Sequence, residues 1–372
     1  MKYNRLNEID NFRCSQGQCS LTCCAGWCVP IDSQTEAKYR ALPGLEGIRM
    51  HFNLGSNDDM TVFNPKGGHC HYHTKDGLCS LQLKYGEEYL SRVCFTYPKT
   101  LYNFGFYAEE ALDLSCPEVT GIFLEADMFS YTSLDKDVEY PRYGTNEDVT
   151  YMSLLQQLRS LIVDYVLKEN NLPLTYGRLF ELGECIQNIF IEERIDPVTD
   201  KFMEKILNKS KELLNSPCDP MYIDAKSTDR IMTGGFYHTK LKRTSPYLYK
   251  LCRSYFKELD KLSLDNIDTL YKDELYGNED ICAILRKYLA YKIHLKFLEV
   301  FEDYCFMRKL TYSVFQTHLL GVMLWLNNKN ALNTELDKKD IILTISTVER
   351  RSSHREEFSA GIFNQLYKEL AR

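Results

Sequence analysis

The sequence predicts a mainly α protein, with an irregular cysteine-rich N-terminal module packed on an α-helical C-terminal domain. Three observations predict it. Nine of the fourteen cysteines stand in the first third of the 372 residues. From about Val149 onward, apolar residues recur at helical spacing. No run of alternating strand-type residues and no internal repeat is seen. The division falls near residue 145, giving a metal or iron–sulfur module over 1–145 and an α-helical domain over 146–372.

A chain of this length buries a substantial core without staples. Its composition, 44% hydrophobic and 26% charged, is ordinary for a soluble protein. A net charge of -7 speaks against a nucleic-acid surface. The opening MKYNRLNEIDNF is polar and mixed, without the pattern of a signal peptide. The longest strongly apolar run, Leu319 to Leu326, is far short of the roughly 20 residues of a membrane span. The expectation is a cytoplasmic protein with no membrane or nucleic-acid partner. There, clustered cysteines bind metal or serve redox chemistry more often than they form disulfides.

Within the first module, Ser33–Arg40, Gly86–Val93 and Gly105–Leu112 read as short helices, and Leu54–Asp59 and Pro65–Gly68 as turns. Pro117 suits a first helical position, with Val119, Ile122, Phe123 and Ala126 continuing the apolar face. A region this rich in loops needs something to order it, and a bound metal contributes such folding energy directly. Ser133–Thr150, charged and carrying Pro141 and Gly144, reads as a linker.

Helix then follows helix. One stripe runs through Leu154, Leu155, Leu158, Leu161, Ile162, Tyr165 and Val166, and the next through Leu179, Leu182, Ile186, Ile189 and Phe190. Asp196-Pro197 opens a helix reaching about Asn215, and Ser245-Pro246 opens another through Leu248, Leu251, Tyr255 and Leu259. A long helix is expected over about Asp280–Met307, then helices over Thr311–Leu326, Leu336–Glu349 and Ser353–Ala371. Pro217–Arg243 is a loop long enough to carry function and holds Gly234-Gly235.

The cysteines follow C-x4-C-x3-CC-x3-C from Cys14 to Cys28, then C-x8-C-x14-C-x21-C from Cys70 to Cys116. Thiolates are soft donors that suit zinc, Cu(I) and iron–sulfur clusters. Four satisfy one tetrahedral zinc or one [4Fe–4S] cube, so some of the nine are bystanders or serve a second centre. Adjacent cysteines rarely point the same way, so Cys23 or Cys24, not both, is expected on one cube. No C-x2-C zinc ribbon occurs. The C-x3-C-x2-C signature of radical S-adenosylmethionine enzymes is also absent: Cys19 and Cys23 are followed by Gly26, and Cys24 and Cys28 by no nearby cysteine.

Other residues read as structure. His69, His71 and His73 belong to a polar loop, because cysteines already saturate a four-ligand site. His318 is a core histidine with satisfied nitrogens. Cys185, Cys252, Cys282 and Cys305 are buried small hydrophobes. Trp27 and Trp325 are core or shielding residues, and Glu87, Glu88 and Glu118 surface or capping residues.

Several pieces keep a specific order over residues 12–118. They are F-x-C-x4-C-x3-CC-x-GW with Ile31-Asp32 and Thr35 behind it, Gly77-Leu78-Cys79-Ser80-Leu81, Tyr85-Gly86-Glu87, Tyr89-Leu90-Ser91, Cys94, Tyr97-Pro98 and Leu114-Ser115-Cys116-Pro117-Glu118. This third of the chain resembles the opening of the bacterial flagellin lysine-N-methylase family. Its first part also looks like smaller zinc- or iron-chelating cysteine-rich domains with a CC pair. The family resemblance implies methyl transfer from S-adenosylmethionine to lysine ε-amines of flagellin or a related filament protein. It implies a [4Fe–4S] cluster, with Cys14, Cys19, Cys23, Cys24, Cys70, Cys79, Cys94 and Cys116 as matching cluster residues; Cys28 matches less closely. One departure is Lys99 where the family pattern has Arg, which matters if that Arg is bidentate.

The residues themselves permit such chemistry without locating it. Methylating a lysine needs a neutral amine held in line with the sulfonium methyl. The 26 tyrosines suit the lining of such a site. No glycine-rich strand-to-helix turn is seen, and Gly234-Gly235 follows no predicted strand. Two other readings stand beside the methylase: a non-enzymatic module holding zinc or iron, and a redox or sulfur-transfer protein with exposed thiols.

Overall fold

The computed structural model describes residues 2–15, 17–25, 29–41, 52–54, 61–63, 69–135, 145–193, 198–233, 237, 241–330 and 337–352. Gly26, Trp27, Cys28, the Gly234-Gly235 pair and the helix expected over Ser353–Ala371 lie outside them. The fold is mainly α, as expected. Among the described residues no helix is long and apolar enough to cross a membrane.

The described residues of the first third include strands that its sequence does not announce. Strands β1 (Lys2–Leu6), β5 (Lys99–Asn103), β6 (Tyr107–Leu112) and β7 (Tyr131–Asp135) form one mixed sheet in the order β5-β6-β1-β7. β6 runs parallel to β1 and antiparallel to β5, and β7 runs antiparallel to β1. The helix expected over Gly105–Leu112 is therefore a strand. Its Ala-Glu-Glu-Ala run favours helix locally, but a central position with partners on both edges overrides propensity. Gly105, at φ 88°, turns the chain into β6, and its N–H bonds the Asn103 side chain at 2.9 Å. A smaller sheet has the order β2 (Val29–Pro30), β4 (Thr61–Phe63), β3 (Phe52–Leu54).

Short helices carry the cysteine motifs: α1 (Ser33–Ala41), α2 (Ser80–Tyr85), α3 (Arg92–Thr96) and α4 (Pro117–Glu125). Pro117 stands at the start of α4, as its fixed φ predicts, with Cys116 as the N-cap residue. The 86–93 stretch splits into a 3-10 turn at Glu87–Tyr89 and the start of α3.

The helices that follow are α5 (Asn146–Lys168), α6 (Leu172–Glu193), α7 (Asp200–Asn215), α8 (Ala225–Ile231), α9 (Leu241–Thr244), α10 (Pro246–Lys261), α11 (Leu264–Leu270), α12 (Glu279–Lys296), α13 (Val300–Asp303), α14 (Phe306–Asn330) and α15 (Lys338–Ser352). Thr145 and Asp148 close a capping box on α5, with bonds of 3.1 and 2.8 Å. The single helix expected over Asp280–Met307 is broken. After α12 a 3-10 turn covers Phe297–Glu299, and Tyr304 ends α13 in the left-handed region at φ 54°. The Asp303 carboxylate then accepts the Cys305 N–H at 3.0 Å and sets α14 on a new course. The apolar stripe crosses this break undisturbed, so periodicity alone hides it.

One hydrophobic core joins the large sheet to the helices, running from Leu6 and Leu112 through Phe123, Leu158 and Leu289 to Val348. A second, small core of Val29, Ile31, Tyr39 and Leu81 sits beneath the cysteine motifs. His318 is fully buried and satisfied, bonding the Thr228 hydroxyl and the Tyr276 hydroxyl at 2.8 Å each. Trp325 is buried and donates to Glu274 at 2.8 Å. Cys252 and Cys282 are buried as expected; Cys185 and Cys305 are only half-buried.

Candidate metal centre

The small core brings four separate pieces of chain together. Asp32 is the organiser. Its carboxylate accepts the Thr35 N–H at 2.9 Å and the Thr35 hydroxyl at 2.8 Å, starting α1, and the Arg92 N–H at 2.8 Å, starting α3. Burial works against its charge, but these donors win and hold its pKa below the ordinary carboxylate value. Ser91 caps α3 by accepting the Cys94 N–H at 3.3 Å. The Tyr39 hydroxyl donates to the Tyr89 carbonyl, closing α1 over the Glu87–Tyr89 turn.

The 69–80 loop folds back on itself. His73 bridges to Cys79, Thr74 N–H bonds the Leu78 carbonyl at 2.8 Å, and Ser80 N–H bonds the Tyr72 carbonyl at 2.8 Å. Ala25 bridges to His69, and Cys70 N–H bonds the Cys24 carbonyl at 2.6 Å, seating this loop against the first cysteine run. A second seat lies at two glycines, both at positive φ. A Cβ on Gly77 would stand 2.7 Å from the Gly17 carbonyl oxygen, and one on Gly17 2.5 Å from that of Gly77. Only glycine permits this approach at this backbone angle.

The result is a cavity of about 100 Å³ lined by Cys23, Cys24, Cys70, Cys79 and Cys94. One water occupies roughly 30 Å³ in the liquid. Val29, Leu81 and Leu90 add apolar wall, and Tyr72 and Tyr97 aromatic wall. Cys23 and Cys94 are exposed, and Cys24, Cys70 and Cys79 half-buried. Cys23 and Cys24 both line this space. The Cys24 thiol hydrogen-bonds to Cys23 and holds the Cys23 thiol down at about 6; the same bond and burial drive Cys24 up. Although Cys94 as a residue is exposed, its surroundings in the cavity push its thiol up to about 12, and burial raises that of Cys70. Neighbouring thiols add repulsion at Cys24, Cys70 and Cys94.

Thiols that raise one another in this way resist losing several protons unless a cation relieves them. The donor set therefore fits a thiolate-bound metal group. Among the described residues, no three His, Cys, Asp or Glu side chains converge closely enough to hold a single ion. A tetrahedral zinc needs its sulfurs at about 2.3 Å from one point. Four of the cavity's cysteines would supply the four thiolates of a [4Fe–4S] cluster.

The remaining sequence candidates stand elsewhere. Cys116 is buried at the head of α4, where the thiol is pushed up to about 12 by burial, and the N–H groups of Val119 and Glu118 pull against that rise. The charge of Cys19 bears on it too, and the Cys19 thiol itself bonds the Leu21 carbonyl at 3.2 Å. Cys14 is exposed. His69 stacks on His73 at 5.2 Å, and none of the three histidines lines the cavity. Lys99 is exposed at the start of β5. Glu87 and Glu88 are exposed, and Glu118 half-buried.

Two residues had no role in the sequence reading. Asp32 stood in a quoted motif, and its Asp-x-x-Thr spacing is the signal of a helix N-cap. Arg350, on α15, carried no signal. It donates from Nε to the Ser115 carbonyl at 2.9 Å, from Nη1 to the Thr22 carbonyl at 2.5 Å and from Nη2 to the Leu21 carbonyl at 3.1 Å.

Relatives of the chain match it over about a third of its length. Over 123 residues it is 29% identical to the flagellar biosynthetic protein FliU of Salmonella muenchen, a match covering 31% of this chain and 73% of that one. Over 124 residues it is 31% identical to the lysine-N-methylases of Salmonella choleraesuis and Salmonella typhimurium. Those two matches cover 31% of this chain and 31% of each relative, so the chain spans less than a third of their length. No protein-family model matches, and no solved structure matches.

Proposed function

We propose that the protein is a lysine N-methyltransferase that takes its methyl group from S-adenosylmethionine, acts on flagellin or a related filament protein, and holds a [4Fe–4S] cluster in the thiol-lined cavity. The relatives named lysine-N-methylase and FliU support the activity and the flagellar substrate. The observation that carries the metal reading is the five cysteines that line one cavity. Four of Cys23, Cys24, Cys70, Cys79 and Cys94 would hold the cluster. Bound there, it supplies iron centres whose electronics the surrounding hydrogen bonds and burial tune.

The chain's own residues do the rest. Asp32 and Ser91 fix the backbone that carries Cys94. Val29, Leu81 and Leu90 keep water from one side of the site. In the transfer itself the lone pair of a neutral lysine amine forms the new N–C bond. The S–C bond of the sulfonium breaks, the sulfur leaves as a neutral thioether, and the amine proton passes to solvent or a base. Holding the amine neutral and in line is the protein's task.

Anaerobic purification with an absorption spectrum, iron, sulfide and zinc counts, and a mass-spectrometric assay on flagellin tests this reading. The expected result is brown protein with about four irons that adds methyl groups to flagellin lysines when S-adenosylmethionine is supplied. Colourless protein with about one zinc per chain and no methylation would overturn it in favour of a structural metal module.

A further inference from the structure

Arg350 lies far along the chain from the cysteine motifs, yet it bonds the backbone just before Cys23, which lines the thiol cavity, and the backbone just before Cys116, which does not. Its three bonds reach Ser115, next to Cys116, and Leu21 and Thr22, next to Cys23. Each guanidinium nitrogen serves a different carbonyl. A planar fork with five N–H donors can do this; a lysine ammonium, a single point on a flexible stem, cannot span the three.

The helix that presents Arg350 is itself locked. One residue back, Glu349 is buried and bonded to Lys292 at 3.0 Å and to the Tyr288 hydroxyl, which fixes the rotation of α15. One turn back, Ser346 meets the Thr120 hydroxyl on α4 at 2.9 Å, on the same face as Arg350. The Ser115 neighbourhood is held from the other side by the Tyr97 hydroxyl, 3.0 Å from the Ser115 hydroxyl, and Tyr97 lines the cavity. Among the described residues the nitrogens of Arg350 bond carbonyl oxygens and no carboxylate.

We propose that Arg350 is the positioning residue of the thiol cavity: from α15 it clamps the Leu21–Thr22 and Ser115 backbones, and through Thr22 it fixes the approach of the chain to Cys23. This rests on the metal reading of the site. Groups of this kind, one step removed from the ligands, typically change metal affinity about 10- to 100-fold when removed.

The test compares full-length wild type with Arg350→Gln, Arg350→Lys and, as a control, Arg286→Gln, whose arginine bonds Asn170 and the Glu169 carbonyl at the end of α5. Each protein is reconstituted anaerobically and its metal is withdrawn by a chelator. In parallel, metal-free samples are alkylated and the rate at Cys116 is read by mass spectrometry, with far-UV circular dichroism as the folding check. Arg350→Gln is expected to lose metal about 10- to 100-fold faster and to expose Cys116 to alkylation. Arg350→Lys should fall between, and Arg286→Gln should match wild type. Equal metal loss and equal alkylation in Arg350→Gln and wild type would overturn the proposal. So would a lysine variant that matches wild type in both, because the charge would then suffice without the fork. If Arg350→Gln loses its helix signal, Arg350→Lys carries the comparison. If wild type binds no metal at all, the metal reading falls, and the clamp is judged by Cys116 alkylation alone.

Discussion

The guanidinium of Arg159 meets the carboxylate of Glu109 through two hydrogen bonds, of 2.6 and 2.7 Å, in the interior between sheet and helices. Arg159 also donates to the His294 carbonyl at 3.0 Å, and Tyr107 donates its hydroxyl to Glu109. This pair lets a central strand with a glutamate in its middle pack against α5. Burial alone would raise the Glu109 pKa, but Arg159 holds it below the ordinary value.

Removing one partner strands the other. Arg159→Met is expected to destabilise the protein by about 3–5 kcal/mol, because Glu109 is left buried and unpaired. The double variant Glu109→Leu with Arg159→Met should recover most of that loss. Urea unfolding followed by circular dichroism reads both, and an additive double variant would refute the pairing.

Two histidines make the fold acid-sensitive. Burial pushes both His294 and His318 down to about 3. An unfolded histidine binds its proton near 6.5. Between those values the unfolded chain holds more protons, so stability is full above about pH 6.5 and falls as the pH drops toward about 3. At pH 5 the loss is about 2 kcal/mol for each histidine. His318→Gln should shrink the drop in urea midpoint between pH 7 and pH 5 by about half. An unchanged drop would show that His318 takes up its proton without unfolding.

The eight cysteines of the sequence motifs should separate into two groups. Cys70→Ala, Cys79→Ala and Cys94→Ala are each expected to lose most bound iron, and Cys14→Ala to keep it. Of Cys23 and Cys24, one substitution should be tolerated, since five thiols surround a group that takes four. Iron and sulfide counts after anaerobic reconstitution check this. Full iron in Cys70→Ala and Cys79→Ala would remove the cavity from the metal site.

Gly77→Ala tests the seat between the two cysteine loops. The added Cβ meets the Gly17 carbonyl at a positive φ, a strain of about 1–3 kcal/mol. Metal retention should fall while the main thermal transition of the helices stays in place. A variant that holds metal as wild type does would mean the loops can part without disturbing the thiols.

These outcomes separate what a linear reading reaches from what it misses. The helices from Asn146 onward were legible because an apolar stripe is a local signal, and α6 and α14 are long enough to repeat it. The large sheet was not legible. Its pairings join residues 2–5 to 107–110, and its strands are five or six residues long. The break at Tyr304 escaped because the stripe continues through it. At the site the thiols were legible one by one, but not their grouping. Cys70 joins Cys24 through a backbone bond and packs with Cys79 on the small core, and spacing encodes neither. Cys116 looked equivalent to Cys94 and instead stands at the N-cap of α4, outside the cavity lining.

The bond between Arg350 and Thr22 spans 328 residues of chain. A ribosome adding about 5–20 residues per second takes roughly 15–65 s to cover that distance. Throughout that interval the first cysteines are already out and the arginine that clamps their loop has not been made. The nascent thiols are therefore open to oxidants and stray metal ions for most of synthesis. The clamp on the first cysteine run is therefore completed only when α15 arrives, not when the cysteines emerge.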